Sequence, residues 1–177
     1  MATFLALDFE TANHARDSAC AIGLALCRDG ALVERASFLI RPPSREFVFT
    51  YIHRLGWRDV CNAPDFAALW PTLAGYLNAA DFLVAHNAPF DRGVLRACCA
   101  RYGLTEPVQP FECTVRIARH FFGFRPARLP DVCARLDIAL DHHEAGSDAE
   151  ACARIVLAAQ AAGWARTSRA ADARSRA

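Results

Sequence analysis

The chain has 177 residues, a length that suits one domain, or one domain with a tail. Hydrophobic residues make up 54% of it, enough for a full core, yet no apolar stretch reaches the roughly 18 uncharged residues that span a bilayer. The net charge is +1 and all 20 basic residues are arginine, so a nucleic-acid ligand is permitted but not demanded. A codon bias toward arginine and alanine accounts for most of the arginine excess.

The N-terminus and the cysteines indicate a compartment. MATFLALDFE lacks the basic region of a signal peptide. The eight cysteines are scattered in apolar surroundings without a CxxC pair, which favours buried reduced thiols over a zinc or catalytic role. These features predict a cytoplasmic protein that makes no contact with a membrane.

The first third of the chain predicts an antiparallel meander. Residues 3–9 form a short apolar run that ends in acids, as a buried strand does. Two further apolar runs, 19–27 and 31–40, are joined by Asp29-Gly30, a strong hairpin signal.

The rest of the chain predicts alternating helices and strands. Residues 46–62 carry aromatic side chains without a clean period, which indicates a loop with short helical pieces, and Asp65 then begins a helix as its N-cap. The later predictions are a strand at 81–85, a helix at 91–102 closed near Gly103, a strand at 111–113, and helices at 114–122, 129–136 and 147–162. This order predicts an α/β domain over residues 1–165, a mixed sheet with helices on its faces, followed by a disordered tail at 166–177.

Four carboxylates and a histidine lie beside these apolar runs. Asp8 and Glu10 are two apart on a strand, so their side chains share one face of the sheet, although a solvent-facing edge with two incidental acids is the simpler alternative. Asp91 begins a helix after a strand, where an N-cap role would explain it alone. Asp148 lies in the first turn of the last helix with the same ambiguity, and His143 stands five residues before it on a loop.

The histidine suits a general base because its pKa lies near neutrality. His142 is a competing candidate, and Asp141-His142-His143 could instead form a simple polar turn. None of these signals decides alone, but together they predict a two-metal site that cuts phosphodiesters.

The motifs Asp8-Phe9-Glu10-Thr11, His86-Asn87-Ala88-Pro89-Phe90-Asp91 and His143-x4-Asp148 resemble those of the DEDDh exonucleases. This family includes the proofreading epsilon subunit of bacterial DNA polymerase III, ribonuclease T, oligoribonuclease and exonuclease X. The resemblance covers about residues 3–157 and is closest to small stand-alone bacterial members that are epsilon-like. It implies a ribonuclease H-like fold whose central mixed five-stranded sheet is flanked by helices.

The resemblance also implies two divalent cations, Mg²⁺ or Mn²⁺, and a role for each acid. Asp8, Glu10 and Asp148 would hold one ion, and Asp8, with Asp91 acting largely through water, would place the second. His143 would take the proton from the attacking water, because the family histidine stands five residues before the last aspartate.

Substrate contacts follow from the same resemblance. His53 matches the family's Ile-His-Gly-Ile loop, which packs on the terminal base, but Arg54 stands where that loop has glycine. For His53 and Phe90, ordinary packing is an equal alternative. The implied substrate-binding residues are Thr11, Ala12, His53, His86, Asn87 and Phe90, with Glu10 also facing the 3′-hydroxyl.

The predicted function is therefore a metal-dependent 3′-to-5′ exonuclease that releases nucleoside 5′-monophosphates from DNA or RNA 3′ ends. An RNA-trimming enzyme for short oligoribonucleotides is a rival of the same class, decided by tolerance of the 2′-hydroxyl. A non-catalytic module that binds nucleic acid or a polymerase is a rival of another class, and a DNA polymerase is a candidate partner under either function.

Overall fold

Three antiparallel strands form the first third of the protein in the computed structural model, which describes residues 2–166. They are β1 (Phe4–Thr11), β2 (Ala19–Arg28) and β3 (Ala31–Leu39). Asp29 and Gly30 between β2 and β3 have φ values of 52° and 79°, the left-handed conformation of a tight hairpin turn. The predicted hairpin is thus confirmed.

Two more strands complete a five-stranded sheet of order β3-β2-β1-β4-β5. β4 (Phe82–Ala85) pairs parallel with β1, and β5 (Phe111–Cys113) pairs parallel with β4. The mixed sheet flanked by helices is confirmed. The helices are α1 (Thr50–His53), α2 (Trp57–Val60), α3 (Phe66–Asn78), α4 (Pro89–Tyr102), α5 (Thr114–His120), α6 (Leu129–Leu136) and α7 (Ala145–Ala161).

Capping residues mark the start of α3 and the end of α4. The Asp65 carboxylate accepts a hydrogen bond from the Ala68 backbone at 2.9 Å, so the predicted N-cap of α3 is confirmed. Gly103 ends α4 in a left-handed conformation with φ 64°, also as predicted.

Two helix starts differ from their predicted positions. α4 begins at Pro89, a residue suited to the first helical position, so Asp91 lies within the first turn and is not the N-cap. α7 begins at Ala145 because the Glu144 carboxylate accepts hydrogen bonds from the backbones of Gly146 and Ser147. Glutamate is not among the favoured N-cap residues, so the sequence pattern did not indicate this start.

Alternate residues of β1 face two different apolar layers. Leu5, Leu7 and Phe9 pack with residues of α3 and α4, whereas Phe4 and Ala6 pack with residues of α5, α6 and α7. Asp8 and Glu10 continue the second series, because side chains two apart on a strand share a face. Their carboxylates therefore face the layer that contains α7.

The cysteines are free thiols, and six of the eight are buried. Within residues 2–166, no helix is long and apolar enough to cross a bilayer. The predicted tail at 166–177 lies outside the described residues except for Arg166, whose guanidinium is 5.2 Å from the centre of the Phe82 ring.

Candidate active site

Three carboxylates meet where the end of β1 faces the start of α7. Asp8, Glu10 and Asp148 each offer an oxygen, and these oxygens lie within 4.8 Å of one another. Asp8 and Glu10 come from one face of β1, and Asp148 comes from the first turn of α7. Residues from the two ends of the chain thus form one acidic cluster.

A glycine on β2 lets α7 approach this cluster. Gly23 pairs with Asp8 across the two strands, and a Cβ atom at Gly23 would lie 1.9 Å from the Ala145 carbonyl oxygen. The same Cβ would lie 2.5 Å from the Gly146 backbone nitrogen, so any larger residue would push the start of α7 away. The sequence signal for this contact is a lone glycine inside an apolar strand, a position that often marks a bulge, a bend or a close backbone approach.

Asp91 lies behind the cluster in the first turn of α4. It is 1% exposed, and its Oδ1 accepts a hydrogen bond from the Phe9 backbone at 3.0 Å. The backbone pairing of β1 with β4 ends at Ala6. Beyond that point the Asp91 carboxylate serves as the hydrogen-bond acceptor for β1, and it holds the strand at Phe9, between Asp8 and Glu10. Asp91 does not share the 4.8 Å group of oxygens formed by the other three acids.

Burial raises the pKa of every acid in the site, and repulsion between carboxylates adds to the rise for Asp8, Glu10 and Asp91. The pKa of Asp8 lies well above its usual value, through burial first and then the charges of Asp91, Asp148 and Glu10. Burial, followed by the charges of Asp148 and Asp91, raises the pKa of Glu10 to about 8. Burial raises the pKa of Asp91 to about 7, although the hydrogen bond from the Phe9 backbone opposes this shift. Ionising all of these acids together is costly unless a cation offsets their charge.

The acids fit a divalent metal centre. Their donors are all oxygen, the ligand type that Mg²⁺ and Mn²⁺ prefer, and the crowded negative charge is what a cation would neutralise. Asp8, Glu10 and Asp148 could hold an ion directly. Asp91, which is not part of this group of oxygens, could contribute its charge indirectly.

Asp148 also organises the histidine doublet. The His142 Nδ1 lies 3.0 Å from Asp148 Oδ2, and the His143 backbone donates a hydrogen bond to the same oxygen at 3.1 Å. The two imidazole rings are stacked with centroids 3.7 Å apart, and both face the cavity in front of the acids. Burial, then the neighbouring His142, lowers the pKa of His143, so its ring is neutral near pH 7 and can accept a proton.

A cavity of about 830 Å³ opens in front of these acids and histidines. This volume lies within the range of ligand-binding clefts. Five of the predicted substrate-binding residues border it, namely Thr11, His53, His86, Asn87 and Phe90.

Ala12 does not border this cavity. Its side chain is fully buried, and its carbonyl oxygen accepts hydrogen bonds from the backbones of Val48 and Phe49. Phe49 borders the cavity, so Ala12 holds part of the wall in place from behind. The role of Ala12 in substrate binding stays a prediction, and the burial of its side chain leaves an indirect role, through Phe49, as the one this geometry favours.

The contacts of His53 and the backbone conformation of Arg54 show how this loop keeps its position although Arg54 replaces the family glycine. The Leu55 backbone donates to His53 Nδ1 at 3.1 Å, so His53 Nε2 carries the proton and donates to the Thr11 carbonyl oxygen at 3.1 Å. His53 thus joins this loop to the end of β1. Arg54 ends α1 with φ 65°, a left-handed conformation that glycine adopts most easily, which accounts for the glycine expected at this position.

One part of the cavity lining was not predicted from the sequence. It comes from α5 and from the segment between α5 and α6, and the arginine excess of the chain was the one available signal for it. His86 connects this wall to the sheet, since its Nδ1 lies 2.8 Å from the Thr114 hydroxyl at the start of α5. The cavity residues to which the sequence analysis assigns no role are Phe9, Phe49, Ile52, Val115, Arg119, Arg125, Pro126, Ala127, Arg128 and Leu129.

The sequence of this chain is similar to exonuclease sequences. The RNase_T family model, described as "Exonuclease", matches residues 5–156. The chain is 30% identical over 161 residues to the DNA polymerase III PolC-type of Thermotoga petrophila, an alignment that covers 88% of this chain and 12% of that protein. The chain therefore spans about one-eighth of that relative's length.

The fold is also similar to that of solved nucleases. A structure of exonuclease X in complex with 5′ overhanging duplex DNA superimposes with a TM-score of 0.74 and 23% identity, covering 92% of this chain and 94% of that one. The nuclease domain of 3'hExo, a DEDDh family member bound to rAMP, superimposes with a TM-score of 0.77 and 14% identity, covering 91% and 92%. These likenesses confirm the predicted ribonuclease H-like fold.

Proposed function

Since the chain belongs to the DEDDh exonuclease family, we propose that it removes nucleotides from the 3′ ends of DNA or RNA by hydrolysing the last phosphodiester. The observation that carries this proposal is the cluster of Asp8, Glu10 and Asp148, whose oxygens lie within 4.8 Å of one another at the base of a large cavity. The family is metal-dependent, and the all-oxygen cluster agrees with that requirement.

In this proposal the acids would hold two divalent cations, Mg²⁺ or Mn²⁺. Asp8, Glu10 and Asp148 would hold one of them, and Asp8 and Asp91 would help to hold the other. When bound, the ions supply the positive charge that stabilises the attacking and leaving oxygens of an in-line displacement.

The histidine doublet supplies the proton acceptor. His143 takes the proton of the attacking water, because its lowered pKa keeps the ring neutral near pH 7. Asp148 orients His143 through the hydrogen bond from the His143 backbone and contacts the His142 ring. A nucleoside 5′-monophosphate is the product that leaves.

Thr11, His86, Asn87 and Phe90 would surround the terminal nucleotide, and His53 would hold the loop beside it. Similar folds have been solved with duplex DNA and with rAMP, so we propose that either sugar can enter the cavity. A polymerase partner is part of this proposal only by analogy, because the chain matches a small part of the PolC-type relative.

The test uses 5′-labelled single strands of DNA and RNA of matched sequence, each with Mg²⁺, Mn²⁺ or a chelator. We expect a metal-dependent ladder that shortens from the 3′ end and releases nucleoside 5′-monophosphates, with no ladder from Asp8→Asn. The strand that is degraded faster shows whether the enzyme acts mainly on DNA or on RNA. If no metal supports degradation of either strand, the proposal is wrong and the non-catalytic binding module becomes the better explanation.

A further inference from the structure

Three arginines line the cavity that the acids occupy. Arg119 lies in the last turn of α5, and Arg125 and Arg128 lie in the segment between α5 and α6. All three are exposed, and the mechanism above uses none of them. We call them the arginine wall.

The segment that carries the arginine wall is held firmly. The Phe124 backbone donates to the Ala118 carbonyl oxygen at 2.8 Å, and the Phe122 and Phe124 rings are stacked with centroids 5.0 Å apart. The Arg135 side chain donates to the Arg125 carbonyl oxygen at 3.0 Å. The backbone beneath the wall is therefore fixed relative to α5 and α6.

His86 ties this wall to the catalytic sheet. It follows β4 and contacts the Thr114 hydroxyl, and the Ala127 backbone, between Arg125 and Arg128, lies beside its ring. Burial, with smaller contributions from the nearby charges of His142 and Arg119, lowers the pKa of His86 to about 4. His86 is consequently neutral near pH 7, and the positive charge on this side of the cavity comes from the arginines.

The charge balance makes the arginine wall significant. Two divalent ions would neutralise four carboxylates, so the loaded metal site by itself would not attract a polyanion from a distance. Within residues 2–166, neither Arg119 nor Arg125 lies within 4.0 Å of a carboxylate, whereas Arg128 Nε is 3.6 Å from Asp131. The wall thus adds up to three positive charges beside a neutralised site.

Other residues that border the cavity are apolar and aromatic. Phe49, Ile52 and Phe90 border it, Phe90 is 38% exposed, and the Phe49 ring packs edge-on against His14 with centroids 4.8 Å apart. Aromatic faces stack on unpaired bases, which a duplex does not offer. These residues therefore suit bases, whereas the arginine wall suits phosphates.

We propose that Arg119, Arg125 and Arg128 bind the phosphates on the 5′ side of the scissile bond, so that this enzyme selects single-stranded ends of several nucleotides. The inference rests on the proposed function, because cleavage of the last phosphodiester leaves the rest of the strand on the 5′ side. Arginine is suited to this role, since its planar guanidinium can bind two phosphate oxygens at once.

Binding tests the arginine wall without turnover. Fluorescence anisotropy in chelator measures the Kd of a labelled ten-nucleotide single strand for wild type and for Arg119→Ala, Arg125→Ala and Arg128→Ala. Each variant should raise Kd by about 5- to 30-fold. The slope of log K against log salt should become shallower by about 0.7 per arginine removed. The matched control is Arg116→Ala, which removes an exposed arginine of α5 that does not border the cavity.

Charge-conserving variants separate binding from structural support. Arg119→Lys, Arg125→Lys and Arg128→Lys should keep most of the salt slope, because the charge remains. Kd values and slopes that match Arg116→Ala in all three alanine variants would overturn the proposal.

Kinetics separate this inference from the proposed function. The substrates are the same oligonucleotide and thymidine 5′-(p-nitrophenyl phosphate), a phosphodiester with no upstream phosphate. The alanine variants should lower kcat/KM for the oligonucleotide at least 10-fold more than for the ester, mainly through KM. An equal loss on both substrates would overturn the arginine wall but leave the exonuclease intact. If wild type hydrolyses neither substrate, the proposed function is rejected. The Kd measurements would still show whether the three arginines bind the strand.

Discussion

Asp148 makes contacts on both sides of the candidate site. One side faces Asp8 and Glu10, and the other receives the His143 backbone and the His142 ring. Burial raises the pKa of Asp148, while the hydrogen bond from His143 opposes that shift. A single carboxylate thus couples the proposed metal ligands to the proposed base.

At the residue scale, the first prediction concerns Asp8→Asn. We expect kcat to fall by at least about 10³-fold, because the variant keeps the shape of the side chain but removes a metal-binding charge. The melting temperature in chelator should stay equal or rise at pH 8, since repulsion among the acids falls. Calorimetry and the exonuclease assay measure both effects. Asp137→Asn, at an exposed left-handed position that asparagine tolerates, is the control and should change neither.

The second prediction concerns the pH dependence of the rate. Because the pKa of His143 is lowered from 6.5, we expect the rate to rise with pH and to level off once the ring is neutral, below about pH 7. His143→Gln should lower kcat by about 10²- to 10⁴-fold and remove this rise. His142→Gln is the matched control, and loss of the pH dependence in that variant alone would assign the base role to His142.

At the scale of elements, the site depends on how closely α7 approaches β2. The backbone of α7 reaches the sheet at Gly23, directly across from Asp8. Asp148 lies one turn into that helix, so the spacing between two secondary-structure elements sets the spacing of the acids.

The third prediction is that Gly23→Ala destabilises the protein by about 1–3 kcal/mol or more and lowers activity. Its methyl group would overlap the Ala145 carbonyl group, and backbone has little freedom to move aside. Urea unfolding measures the change. The control is Gly75→Ala within α3, where nothing lies within 4 Å of the added Cβ, and a gain of about 0.5–1 kcal/mol is expected. If Gly23→Ala leaves stability and activity unchanged, the close contact between α7 and β2 is not required for the site.

The fourth prediction concerns the end of α1. Arg54 has φ 65°, so Arg54→Gly should relieve backbone strain and stabilise the fold by up to about 1 kcal/mol. Arg58→Gly, at an exposed position inside α2, should instead cost about 1 kcal/mol. Denaturant midpoints of the two variants should therefore shift in opposite directions, and a loss of stability in Arg54→Gly would indicate that the arginine makes a compensating contact.

At the scale of the whole molecule, the acidic cluster links stability to pH and to metal. The folded-state pKa of Glu10 is about 8 against an unfolded value of 4.5, so the folded protein holds this proton longer than the unfolded chain. The contribution of Glu10 to stability is therefore full at low pH and is lost as the pH rises toward 8.

The fifth prediction follows from this loss of stability with rising pH. In chelator, wild type should lose about 1–2 kcal/mol of unfolding free energy relative to Glu10→Gln between pH 6 and pH 8. Comparison with Glu10→Gln cancels the opposite contribution of the buried histidines. Adding Mg²⁺ or Mn²⁺ should abolish the loss and stabilise wild type more than the variant. Parallel pH profiles of the two proteins in chelator would contradict the prediction.

The sequence by itself determined most of the fold and the chemistry of the site. Strands and helices carry different apolar periods, so the meander, the later helices and the Asp-Gly hairpin could be predicted locally. Asp8 and Glu10 share a face because strand side chains alternate, and the motifs around Asp91 and Asp148 identified the family. The predicted roles of these acids and of His143 stay predictions until activity is measured.

Only the tertiary structure decided what depends on contacts between distant segments. The close approach at Gly23, the position of Asp91 behind β1 and the burial of Ala12 all arise from packing between elements that no local pattern records. The arginine wall is the clearest case, because Arg119, Arg125 and Arg128 resemble any exposed arginine in the sequence. They become part of the site because α5 and the segment after it pack beside β4, and His86 joins the two.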